Sequence, residues 1–128
     1  MTDTENPFAS QPRIFVVDDE VEIAKMLTVI LQMNLFDAMP FTYPQEALEA
    51  ARVTPPEYVI SDIMMPEING IELAILLKRE VPTCKVLLFS GQVGAQDLIR
   101  EAKEEGHDFV LIQKPIHPTA LVAAIRSL

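Results

Sequence analysis

Three carboxylates follow two short apolar segments of the chain. Asp18 and Asp19 come directly after the segment Ile14–Val17, and Asp62 comes directly after the segment Tyr58–Ser61. Segments that are apolar on both faces are typical of central strands in a parallel sheet that helices cover on both sides. The carboxyl ends of such strands meet at one edge, where open α/β sheets bind their ligands. We therefore expect the three carboxylates to lie close together.

A hydroxyl and an ammonium group are predicted at the same edge, because Ser90 and Lys114 also follow apolar segments. Three neighbouring carboxylates repel one another unless a cation neutralises them. Mg²⁺ suits this donor set, since it prefers oxygen ligands, uses one or two carboxylates and keeps its other positions for water and phosphate oxygens. Together these groups favour phosphoryl transfer to a carboxylate, which gives an aspartyl phosphate.

The elements that position these residues alternate between strand and helix. Five βα units predict an α/β fold with a right-handed, doubly wound, five-stranded parallel sheet. Pro40 lacks the N–H that a central strand needs, so the second strand is predicted at an edge. The expected order is therefore 2-1-3-4-5, a flavodoxin-like arrangement whose switch point lies between the first and third strands. The predicted strands are Ile14–Val17, Phe36–Thr42, Tyr58–Ser61, Val86–Phe89 and Phe109–Ile112; the predicted helices are Val21–Met33, Pro44–Arg52, Ile71–Glu80, Ala95–Glu105 and a last one that begins at His117-Pro118.

Length and composition indicate one globular domain. Residues 1–12 are predicted to be a flexible lead-in and residues 13–128 the domain itself. The net charge of −9 disfavours direct binding to nucleic acid, and no apolar run approaches the roughly 20 residues of a membrane helix. Without a signal peptide pattern, we expect a cytoplasmic protein that does not enter a membrane. The single Cys84 is interpreted as a structural thiol, and most of the six methionines are expected to fill gaps in the core.

The conjunction of these motifs, each at its own strand end, resembles the receiver domain of two-component response regulators over roughly residues 13 to 128. The resemblance implies that Asp62, in Asp-Ile-Met-Met-Pro, is the phosphoacceptor. It also implies that Mg²⁺ is held by Asp18, Asp19, Asp62 and the backbone carbonyl of Met64, with Asp19 the more direct ligand of the acidic pair. Ser90 matches the family's Ser/Thr position, and Lys114-Pro115 matches its Lys-Pro motif.

The resemblance also implies partners and a lifetime for the phosphoryl group. Receivers accept phosphate from a histidine kinase or a histidine phosphotransfer domain and switch conformation to control a downstream protein partner or an output domain. They catalyse only their own phosphorylation and dephosphorylation, and homodimerisation is left open. The residues two after the phosphoacceptor and two after the Ser/Thr tune hydrolysis; here they are Met64 and Gln92, which predict slow loss of phosphate.

Two departures from the family pattern concern the conformational switch. Leu111 occupies the position three before the lysine, where most receivers have an aromatic residue, and one residue more than usual separates Gly106 from Lys114. Phe109 lies on the same strand face and is the alternative switch residue. Ser90 is the other switch candidate, and it is followed by glycine where alanine is usual.

Two alternative functions are retained. One is a Mg²⁺-dependent phosphohydrolase of the haloacid dehalogenase type, which also forms an aspartyl phosphate. That family separates its two aspartates by one residue after the first strand, whereas Asp18 and Asp19 are adjacent, and no cap domain is expected here. The other is a receiver-like binding module that works without phosphorylation; the complete set of acids, hydroxyl and lysine disfavours it.

Overall fold

A computed structural model describes residues 11–91 and 94–128 of the chain. Most of the predicted lead-in and Gln92 lie outside the described residues. Five parallel strands form one sheet in the order β2-β1-β3-β4-β5, which confirms the predicted fold class and topology. The strands are β1 (Arg13–Val17), β2 (Asp37–Phe41), β3 (Tyr58–Asp62), β4 (Lys85–Ser90) and β5 (Val110–Gln113); the helices are α1 (Val21–Met33), α2 (Pro44–Val53), α3 (Gly70–Glu80), α4 (Ala95–Glu104) and α5 (Pro118–Arg126).

Two apolar cores lie on opposite faces of the sheet. Along β1, Ile14 and Val16 belong to one core, while Phe15 and Val17 belong to the other. Helices α1 and α5 cover the first core, and α2, α3 and α4 cover the second. Each central strand is therefore buried on both faces, which is why its sequence is apolar without alternation.

The proline in β2 lies on the outer side of the sheet. The Asp37 N–H donates to the carbonyl of Pro12 at 2.9 Å, and the Phe41 carbonyl accepts from the Asp18 N–H at 3.0 Å. Backbone groups alternate in direction along a strand, so those of Ala38 and Pro40 point away from β1. Pro40 thus removes no hydrogen bond from the ladder, and β2 lies at an edge as predicted.

Helix α3 begins one residue earlier than predicted. The Asn69 side chain accepts from the Glu72 N–H at 2.9 Å, and the Glu72 side chain accepts from the Asn69 N–H at 3.0 Å. This capping box makes Asn69 the N-cap and Gly70 the first helical residue. The last strand is displaced by one residue in the other direction, so that Phe109 precedes β5.

The prediction that most methionines fill the core is wrong. Met26, Met33, Met39 and Met64 are exposed, and among the described methionines only Met65 is buried. Helix α1 is apolar around most of its circumference, so periodicity could not show which side faces the sheet. Separately, in the part of the chain that the structure describes, no helix combines the length and apolar character needed to cross a membrane.

Candidate functional site

The structure brings Asp18, Asp19 and Asp62 together at the carboxyl edge of the sheet. Strands β1 and β3 are parallel neighbours, so the residues at their ends meet. One carboxylate oxygen from each aspartate lies within 4.8 Å of the others. Asp18 is fully buried and Asp62 is 5% exposed, whereas Asp19 is open to solvent. Three oxygen donors at this spacing are a suitable partial ligand set for a hard divalent cation.

Asp18 has one satisfied and one unsatisfied carboxylate oxygen. Its Oδ1 accepts from the Glu20 N–H at 2.9 Å. Its Oδ2 is buried without a hydrogen-bond partner among the described residues, and the Lys114 Nζ lies 3.7 Å away. Burial raises the pKa of Asp18 from 3.8 to about 6, and the nearby Asp62 charge adds to this, while the hydrogen bond from Glu20 opposes it. A cation at the acid cluster would satisfy the free oxygen, so the residues fit Mg²⁺.

Asp62 ends β3 and faces the lysine. The Lys114 Nζ lies 3.5 Å from the Asp62 Oδ2, a long ion-pair contact, and the Met64 N–H lies 3.4 Å from the Oδ1. Burial raises the pKa of Asp62, and the positive charge of Lys114 opposes that rise. The loop that carries Met64 approaches the Oδ1 atom of Asp62. Met64 itself is 44% exposed.

Lys114 follows β5 and is held against the end of β4. Its N–H donates to the Ser90 carbonyl at 3.0 Å, and its peptide bond to Pro115 is cis. Ser90 is the last residue of β4 and is 2% exposed, so it lies at the predicted edge. A Cβ on Gly91 would come within 3.4 Å of the Lys114 Cβ, an ordinary contact. The glycine therefore leaves the lysine stem slightly more room than an alanine would.

Gly70 supports the site, although it lies just outside the helix predicted from the sequence, which began at Ile71. A Cβ on Gly70 would overlap the Asp62 carbonyl oxygen and lie 2.9 Å from the Ile63 Cα. The Gly70 N–H donates to the Ile63 carbonyl at 2.8 Å, so the start of α3 packs directly against the backbone that carries Asp62. The Asn-x-x-Glu pattern of Asn69 and Glu72 is the sequence signal that could have placed this glycine inside the helix.

Phe109 and Leu111, the two candidates for the switch residue near β5, lie on the same side of the sheet. Phe109 is 8% exposed within the core beneath α4, and Leu111 is half-buried against the same core. The His107 ring lies parallel to the Phe109 ring, with 6.2 Å between centroids. Phe109 therefore occupies an inward position here. Its role as a switch stays a prediction.

Comparison with known proteins identifies the family. Residues 14–126 match the model of the response regulator receiver domain. The chain belongs to this family. Two similar curated proteins from Mycobacterium tuberculosis are the DNA-binding response regulator MtrA, 32% identical over 90% of this chain and 49% of that protein, and the probable transcriptional regulatory protein TcrX, 30% identical over 90% of this chain and 48% of that protein. The chain spans about half the length of these relatives.

Solved structures agree with this assignment. A response regulator receiver domain protein from Clostridium thermocellum superposes with a TM-score of 0.81 at 25% identity, covering 91% of this chain and 92% of that one. The chemotaxis protein CheY4 from Vibrio cholerae, at 22% identity, shares the fold with a TM-score of 0.79 over 92% of this chain and 98% of that one. The protein is thus a receiver domain of two-component signalling, which disfavours the phosphohydrolase alternative.

Proposed function

We propose that Asp62 accepts a phosphoryl group and that Asp18 and Asp19 hold the Mg²⁺ that this reaction requires. The observation that carries the proposal is the meeting of three carboxylates within 4.8 Å, with the Lys114 ammonium 3.5 Å from Asp62. By the family resemblance, the Met64 backbone carbonyl would supply a further metal ligand. When bound, Mg²⁺ would neutralise phosphoryl oxygens and bring the donor and the acceptor together.

In the transfer, an Asp62 carboxylate oxygen attacks the phosphorus of a phosphohistidine. The new O–P bond forms as the P–N bond breaks, and the imidazole leaves with the bonding electron pair and takes up a proton. Lys114 is placed to pair with a phosphoryl oxygen, because its ammonium is already beside the Asp62 Oδ2. Ser90, buried at the end of β4, is assigned the hydroxyl that contacts the phosphoryl group after transfer.

The phosphodonor we propose is a histidine kinase or a histidine phosphotransfer domain. An apolar groove of about 520 Å³ runs from the exposed side of α1 to the lysine; it is lined by Ile23, Met26, Leu27, Gly91, Lys114, Pro115 and Ile116. A donor protein that delivers its phosphoryl group to Asp62 must cover this edge, and exposed apolar surface beside a reactive site is typical of a protein contact. We assign the groove to the donor domain.

The output we propose is control of a downstream protein partner or of an output domain in a longer protein. The family resemblance and the DNA-binding response regulator MtrA support an output of this kind. The net charge of −9 disfavours direct binding of nucleic acid by this domain, which supports an output through a partner or an attached domain. We place the protein in the cytoplasm.

Intact-mass spectrometry after incubation with Mg²⁺ and acetyl phosphate tests the site. We expect one phosphoryl adduct on the natural protein, none on Asp62→Asn, and loss of the Mg²⁺ dependence in Asp19→Asn. An adduct that persists in Asp62→Asn would refute the assignment. Lack of an adduct on the natural protein under all conditions would favour the phosphorylation-independent binding module, and turnover of a generic phosphomonoester would favour the phosphohydrolase.

A further inference from the structure

The aromatic ring of Phe89 lies beneath the ammonium group of Lys114. Phe89 is fully buried in β4, and its partner across the β3–β4 ladder is Asp62. The Lys114 Nζ lies 5.1 Å from the ring centroid. The same nitrogen is 3.5 Å from Asp62 and 3.7 Å from Asp18, so it sits between two carboxylates and one aromatic face.

The two carboxylate contacts are too long to fix the ammonium by themselves. Well-formed charged hydrogen bonds are about 2.7–2.9 Å long, and a lysine stem has four flexible carbons. An aromatic face attracts a cation within about 6 Å of its centroid, and the attraction is larger where water is excluded. The ring of Phe89 meets both conditions, because it is within range and has no exposed surface.

The aromatic contact has a chemical property that suits phosphoryl transfer. A ring face attracts the charge of the ammonium without engaging its N–H groups in short, directed hydrogen bonds. The N–H donors of Lys114 therefore stay available for phosphoryl oxygens. The attraction also does not depend on the charge of Asp62, which changes when the carboxylate becomes an ester.

We propose that Phe89 is a positioning residue that holds the Lys114 ammonium over the acid site before and after phosphorylation. The proposal deepens the proposed function and rests on it, since it concerns the orientation of the lysine toward the phosphoryl group. Phe89 acts through Lys114 and does not touch the reacting atoms.

The contact itself is tested by NMR on the metal-free, unphosphorylated protein. The ε-CH₂ proton resonance of Lys114, assigned by its loss in Lys114→Arg, should be shifted upfield by the ring current and should return toward the ordinary lysine position in Phe89→Leu. Phe15→Leu is the matched control, because Phe15 is also buried but belongs to the core on the opposite face. An unchanged ε-CH₂ shift in Phe89→Leu would overturn the proposal.

The consequence is tested by the initial rate of phosphorylation from acetyl phosphate with Mg²⁺, normalised to the folded fraction. Phe89→Leu should slow the reaction roughly fivefold, which corresponds to about 1 kcal/mol, while Phe15→Leu should not. In the Lys114→Ala background, Phe89→Leu should have no further effect, because the group through which it acts is gone. Equal slowing in both backgrounds would overturn the positioning role. Failure of the natural protein to form any adduct would instead refute the proposed function, and the NMR comparison would still decide the contact.

Discussion

Asp18→Asn should stabilise the metal-free protein at neutral pH. The Asp18 side chain is fully buried, and its Oδ2 lacks a hydrogen-bond partner among the described residues. Asparagine has nearly the same shape, and its amide oxygen can keep the hydrogen bond from the Glu20 N–H. The substitution therefore removes a buried charge without leaving a cavity.

The size of the effect follows from the pKa of Asp18, which burial raises from 3.8 to about 6. Each pKa unit corresponds to about 1.4 kcal/mol, so ionising Asp18 in the folded state costs about 3 kcal/mol relative to the unfolded chain. Because the folded-state pKa is the higher one, this cost is absent below about pH 4, grows between about pH 4 and 6, and is complete above that range. Asp18→Asn should thus gain about 3 kcal/mol at pH 7, roughly half of that at pH 5, and almost nothing near pH 3.5.

Urea denaturation in the presence of a chelator, from pH 3.5 to 8, measures this difference. Asp108→Asn is the control, because it removes the same formal charge from an exposed carboxylate. Adding Mg²⁺ should stabilise the natural protein and leave Asp18→Asn nearly unaffected. If Asp18→Asn is no more stable than the natural protein at pH 7, or if the gain does not change with pH, the burial argument for Asp18 is wrong.

Three further substitutions test separate features of the structure. Met64→Asn should speed loss of phosphate roughly threefold in a decay assay after donor removal, because a short amide can orient water where methionine shields the phosphorus; an unchanged rate would leave Gln92 or the Ser90 loop as the determinant. Gly70→Ala should destabilise the protein by about 2 kcal/mol or more in urea melts, since the added Cβ would overlap the Asp62 carbonyl, and a neutral result would refute the close approach. Leu35 has a φ of 69° and is 66% exposed, so Leu35→Gly should raise the free energy of unfolding by roughly 0.5–1 kcal/mol. The urea midpoint should rise accordingly, and a lower midpoint would contradict this.

The fold was predictable because its strands carry strong signals. Burial on both faces makes the central residues of β1, β3 and β4 apolar, and Pro40 identifies β2 as an edge strand. The acid cluster followed from the same logic, since parallel strands bring their carboxyl ends together. Each of these inferences depends on a residue's place along its own strand, which the sequence specifies directly.

The contacts that the sequence did not predict join side chains from different elements. The Phe89–Lys114 contact depends on which face of an apolar strand Phe89 occupies, and a run without alternation does not encode that choice. Helix α1 shows the same limit: the small Ala24 and Thr28 are buried, whereas the larger Ile23 and Ile30 are only partly buried. Packing between elements, rather than the local sequence pattern, determines which of these side chains are buried.

The energetics of the acid site explain how one modification can act on the whole domain. Phosphorylation of Asp62 would replace one carboxylate charge with a phosphoryl group that carries roughly two, beside the carboxylate of Asp18, whose ionisation is already disfavoured by burial. A change of a few kcal/mol at this point is a large fraction of the 5–15 kcal/mol that stabilises a typical domain. Lys114 directly follows β5, which has no fully buried residue, and α4, which shares a core with Leu111 of β5, buries only Ala95 and Ala102 among its residues. We therefore expect the conformational response to phosphorylation to concentrate in β5 and α4. Lys114 would pair with the new charge, and it is joined directly to β5, the strand with the least burial.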